Sequence, residues 1–247
     1  MPVMIGLSDA AFTALASLLI FGTMLSVALV FLAREGRLTA LLGINPGINL
    51  ALGFSIGVGA LALAAALASL AIELTPGGSP TSSALLLGIV VVAFQASVEE
   101  VYFRGWLQPR LVAAWGPVAG VLVVAIVFSL LHVSGGVRSP LALLNILLAG
   151  SFFGLLALRS GGTALPAGAH FGWNTTEQLG LGLDPNPGTG SFTSLFDLDM
   201  SGSALWGGSA EGLNASLAVT IVLLAMLVPT AASALLSVRS RPSIPRG

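Results

Sequence analysis

The chain has 247 residues, 55% of them hydrophobic and 8% charged, with a formal net charge of −1. Average soluble domains carry roughly 25% charged residues, so the composition excludes an ordinary soluble protein, and the near-zero charge offers nucleic acid no electrostatic footing. The absence of cysteine excludes disulfides, iron–sulfur clusters and thiol catalysis.

Repeated apolar runs of about 20 residues predict an all-α fold, a polytopic transmembrane bundle of about seven (seven to eight) spanning helices. The spans read as roughly 10–33, 48–72, 84–105, 117–133, 140–158, 163–180 and 214–237. The first, in "MPVMIGLSDAAFTALASLLIFG", has no basic region before it and is too long for a signal-peptide core, so it reads as a retained span. "REGRLTALLGINPG" leads to the second, and "TPGGSPTSS" closes an N-terminal unit of two helices, residues 1–83. Residues 84–180 form a helical core divided by "LQPRLVAAWGP", "HVSGGVRSP" and "RSGGTALP". Segment 181–213 is an acidic, Gly/Ser-rich loop lying partly at the interface, and 214–247 supplies the last span and a basic tail. Gly53-x-x-x-Gly57 and Gly150-x-x-x-Gly154 favour close helix approach.

Orientation follows from the arginines, since the chain has no lysine. With the N-terminus outside, the cytoplasmic loops and tail hold Arg34, Arg37, Arg110, Arg159, Arg239, Arg241 and Arg246, and the outer loops hold only Arg138. Asp184, Asp197, Asp199 and Glu211 then lie outside.

Few strongly polar side chains remain at membrane depth: Glu99, Glu100, Arg104, His132, Asn145, His170, Asn174 and Glu177. A charged residue at a helix centre costs about 2.5–3.5 kcal/mol on insertion scales, so such groups face the bundle interior and find partners. Glu100 and Arg104 stand at i,i+4 and can pair. Glu99, rotated about 100° from Glu100, is left to face a cavity, where a carboxylate suits general-base work. Phe128 and His132 share a helix face, as do His170 and Asn174. Asn145 reads as a polar contact between helices, and Glu177 as an interfacial residue.

Three elements thus follow in order: Glu99-Glu100-x-x-x-Arg104, Phe128-x-x-x-His132 and His170-x-x-x-Asn174. Together they resemble the CPBP family of CAAX prenyl endopeptidases and Abi-type proteins. The resemblance covers roughly residues 84–180 and implies an intramembrane endopeptidase acting on a membrane-associated or lipidated protein or peptide. Carried over, Glu99 activates water with help from His132, and His170 and Asn174 stabilise the oxyanion. Glu100, Arg104 and Phe128 support the site. No cofactor is required in this reading. Family members are often labelled metalloproteases, and a zinc version would use His132, His170 and Glu99. The expected surroundings are the lipid bilayer, within a bacterial plasma membrane, and a peptide or protein substrate. A non-catalytic binding or bacteriocin-immunity protein is the alternative, and an ion or proton transporter a more distant one.

Overall fold

The computed structural model describes residues 8–78, 84–186 and 192–239. Arg241 and Arg246 of the expected basic tail, and parts of the turns at 79–83 and 187–191, lie outside the described residues. Seven helices run in the expected order: α1 (Asp9–Arg34), α2 (Pro46–Ala68), α3 (Leu85–Glu100), α4 (Gln108–Ser134), α5 (Pro140–Ser160), α6 (Ala164–Thr175) and α7 (Leu217–Arg239). Their ends follow local chemistry. Ser8 and Ser139 cap α1 and α5 by accepting the N–H groups of Ala11 and Ala142, and Pro46 and Pro140 open α2 and α5. Gly161, in the left-handed region at φ 71°, ends α5.

Four helical stretches among the described residues are long and apolar enough to cross a membrane: Asp9–Arg34, Pro46–Ala68, Leu85–Ser134 and Pro140–Ser160. The third is one 50-residue helical run that joins α3 to α4. Helix α6, with only 12 residues, is mostly buried, and α7 contributes the shorter apolar stretch Leu217–Ser233. The seven expected segments are therefore helices, while length and apolarity qualify four stretches as spans. Large side chains such as Leu18, Leu19 and Ile20 on α1 and Leu63 on α2 face outward, as a lipid environment demands.

Two features break regularity inside the 50-residue run. Val101–Leu107 is a π-type turn, and Gly116, at φ 83° and ψ 168°, separates the helical residues 108–115 from the rest of α4. Residues 108–115 thus precede the main stretch of α4 as a distinct piece. Arg110 holds them to the end of α1 by pairing with Glu35 and lying over the Trp106 and Phe31 rings. The Thr163 N–H donates to the Leu41 carbonyl oxygen at the same end. Arg34, Arg37, Arg110 and Arg159 therefore share one end of the bundle.

The opposite end corrects the all-α expectation. A three-stranded sheet of order β1-β3-β2 forms from β1 (Ile72–Pro76), β2 (Leu183–Asp184) and β3 (Leu198–Gly202). β1 and β3 are antiparallel, with Leu74 opposite Met200, and β2 joins β3 in parallel. Alternation drives this: Ile72, Met200 and Leu183 turn into the core against Leu213 and Val219, while Glu73 and Asp199 turn outward. The second apolar segment ends in β1, and the 181–213 segment carries two strands where a loop was expected.

Helices α2 and α6 pack through glycine on both sides. A Cβ on Gly53 would overlap the Leu165 carbonyl oxygen, and one on Gly57 the Ala169 carbonyl oxygen. Gly168 and Gly172 meet the backbone of Leu50 and Phe54 in the same way. Gly57→Ala is expected to cost about 1–3 kcal/mol through this overlap. Gly59→Ala, whose Cβ meets nothing within 4 Å, is the control and should be neutral. Melting temperatures of the two purified variants check the contrast.

Candidate active site

The end of α3 and the π turn deliver the charged residues. Arg104 Nη1 donates to Glu100 Oε1 at 2.9 Å, and neither side chain has solvent exposure. Arg104 Nη2 donates to the Gly150 carbonyl oxygen on α5 at 2.9 Å. The guanidinium carbon lies 4.6 Å from the Phe128 ring centroid, with the Phe103 and Phe153 rings 5.7 and 5.6 Å away. A cation enclosed by three rings, a carboxylate and a carbonyl oxygen is compensated inside an apolar bundle.

Glu100 also reaches α6. Its Oε1 lies 3.0 Å from His170 Nδ1, and because an ionised carboxylate only accepts, Nδ1 carries the hydrogen. The ring stacks on Phe153, with centroids 5.0 Å apart and planes at 19°, which fixes its direction. Nε2 then faces Glu99 Oε2 across 3.9 Å. That separation is too long for a direct hydrogen bond and suits one bridging water.

Glu99 is 6% exposed; its Oε1 accepts from Gln95 Nε2 at 3.4 Å, and its Oε2 has no hydrogen-bond partner. His132, half-buried, directs Nδ1 to the Phe128 carbonyl oxygen at 2.8 Å, which leaves Nε2 for other partners. Phe128 stands between the histidines, its centroid 4.7 Å from His132 and 6.1 Å from His170. Glu99, Phe128, His132, His170 and Asn174 all line one cavity of about 510 Å³. Glu100 and Arg104 sit behind its wall. Water, a peptide group and four polar side chains can therefore meet in one cavity.

Two other polar positions have definite places. Asn145 donates to the carbonyl oxygens of Asn214 and Ser216 and accepts from Thr220 Oγ1, joining α5 to α7 and the turn before it. Glu177 was expected at the interface but is 2% exposed, accepts from Asn214 Nδ2 at 2.7 Å and lines the cavity. The chain leading into α7 folds over this end of the bundle and supplies that partner.

Gln95, Phe153 and the Glu100–His170 bond were missed in the sequence. Gln95 stands one helical turn before Glu99, so its spacing was a usable signal. The other two join separate helices, and no spacing encodes them.

Among the described residues, no three His, Asp or Glu side chains are grouped as metal donors. The zinc set of His132, His170 and Glu99 does not fit as placed, because the three side chains are not grouped as donors around one point. No catalytic step is therefore derived through a metal.

Residues 81–176 match the family described as Type II CAAX prenyl endopeptidase Rce1-like. Over that segment the chain is similar to the CPBP family of CAAX proteases. The matched segment holds every residue of the three motifs, from Glu99 to Asn174. That family is one of CAAX-type intramembrane proteases, and the match together with the four long apolar stretches supports an integral membrane protein of the hydrolase class. No curated protein and no solved structure matches the chain.

Proposed function

We propose that this protein hydrolyses a peptide bond of a membrane-associated or lipidated protein or peptide, with Glu99 as the general base. The observation that carries the reading is the buried Glu99 Oε2, unpaired and 3.9 Å from His170 Nε2 inside the cavity. A water placed between them donates to Glu99 and accepts from the imidazolium form of His170. Glu99 takes the water proton as the oxygen attacks the scissile carbonyl carbon, assisted by His132 Nε2. The carbonyl oxygen becomes an oxyanion held by His170 Nε2–H and the Asn174 amide. Collapse breaks the C–N bond, and the departing amine takes the proton from Glu99. Glu100 is a positioning residue, since its bond to Nδ1 orients the His170 ring and supports its positive charge. In the bacterial plasma membrane, the end holding Arg34, Arg37, Arg110 and Arg159 faces the cytoplasm with the C-terminus, and the sheet and N-terminus face outward.

Reaction in heavy-oxygen water tests hydrolysis. Purified protein in liposomes is mixed with solubilised membrane proteins of its host, and the peptides are sequenced by mass spectrometry. The expected result is new C-termini carrying one heavy oxygen, paired with matching new N-termini. A pool that binds the protein yet gains no labelled termini would support the binding or immunity reading instead.

A further inference from the structure

The cavity continues from Glu99 and His170 toward the sheet end, where two further carboxylates line it: Glu177 and Glu211. Glu177 is 2% exposed and is held by hydrogen bonds from Asn214 and Trp173. Glu211 Oε1 accepts the backbone N–H groups of Arg138 and Ser139, at 2.7 and 2.6 Å. Those N–H groups lie at the start of α5, where the helix dipole favours a negative charge. Glu211 Oε2 is buried with no hydrogen-bond partner. Glu99 Oε2, deeper in the same cavity, is unpaired as well.

Among the described residues no arginine lines this cavity, and the chain has no lysine. Arg104 is behind the wall with Glu100, and the Arg138 guanidinium turns to the carbonyl oxygens of Val133 and Val137. Three carboxylates are thus set into a low-dielectric space whose remaining wall is largely apolar, including Phe21, Met24, Leu131 and Ile146. In the protonated form the mechanism uses, His170 offsets Glu99 at the deep end, so a ligand bringing positive charge compensates Glu177 and Glu211, whereas one bringing a carboxylate adds a further like charge. Glu177, Glu211 and Asn214 all lie outside the matched segment 81–176.

We propose that Glu177 and Glu211 form a cation-recognising subsite, so that the preferred substrate is an apolar or lipidated peptide carrying a basic side chain close to its scissile bond. The inference deepens the protease reading and rests on it for the word substrate, but the recognition itself does not need catalysis. Seven residues separate His170 from Glu177, about 10 Å along the helix. An extended peptide covers about 3.3 Å per residue, so the basic residue falls within about three residues of the scissile bond.

Equilibrium binding to the full-length Glu99→Gln protein in neutral-lipid liposomes tests the subsite without turnover. The probes are fluorescent palmitoylated peptides of alternating Leu and Ala, identical except for one Lys, Gln or Glu moved through each position. The best Lys peptide is expected to bind at least ten-fold tighter than its Glu counterpart, with the preference shrinking at high salt. Adding Glu177→Gln and Glu211→Gln, which keep the hydrogen-bond acceptor at Oε1, is expected to reduce that ratio below about two-fold. Equal binding of Lys and Glu peptides, or a preference that survives both Gln substitutions, would overturn the proposal. Cleavage of the same peptides by the protein with Glu99 intact is scored separately, so loss of the protease reading and loss of the subsite are distinguishable.

Discussion

Arg104→Gln is expected to destabilise the protein by about 3–5 kcal/mol, because it leaves Glu100 ionised and fully buried without its partner. The guanidinium also ties the π turn to the Gly150 carbonyl oxygen and fills the space between Phe103, Phe128 and Phe153, so three supports go together. The melting temperature of purified protein should fall by roughly 10 °C, taking a few degrees per kcal/mol for a chain of this size. The double variant Glu100→Gln with Arg104→Gln should recover part of that loss, since neither charge of the pair is left without the other. A melting temperature unchanged by Arg104→Gln would contradict the account of why the pair is tolerated at this depth. The double variant should still show impaired activity, because a Gln oxygen accepts from His170 Nδ1 more weakly than a carboxylate and holds the ring less firmly.

Glu99→Gln has the largest expected effect on chemistry. Gln retains the side-chain length and an acceptor for Gln95 but cannot take the water proton, so turnover should fall by about 10²–10⁴-fold. Its stability should match or slightly exceed that of the parent, since a buried carboxyl oxygen with no partner is replaced by a neutral group. A large activity loss together with preserved melting separates Glu99 from Arg104, whose replacement lowers both.

The order of the seven helices was legible in the sequence because each apolar run is long and bounded by Gly, Pro or Arg. The Glu100–Arg104 pair was legible too, because it lies within one helix turn. The sheet was not: Ile72–Pro76 and Leu198–Gly202 are five residues each, and Ile72 was read as the end of the second span. Helix α6 looks like a span in composition. Its 12 residues are nevertheless clamped against α2 by Gly53, Gly57, Gly168 and Gly172, which puts His170 inside the bundle. Only the first glycine pair was noticed, since Gly168 and Gly172 flank the more conspicuous His170 motif. Glu177 was misplaced because helix-end position was taken as depth, whereas Asn214, 37 residues later, folds over that end and encloses it. The Glu100–His170 bond spans 70 residues and depends on the packing of α3 against α6. Periodicity within a helix identifies the groups; which of them meet is decided between helices.

The most direct test of the central claim compares new peptide termini in membranes expressing the parent protein with those expressing Glu99→Gln, matched for folded protein and read by mass spectrometry. The account predicts a set of paired termini that appears with the parent and is lost with Glu99→Gln. Identical termini in the two membranes, with the host phenotype retained by Glu99→Gln, would contradict it and leave a binding or immunity role in its place.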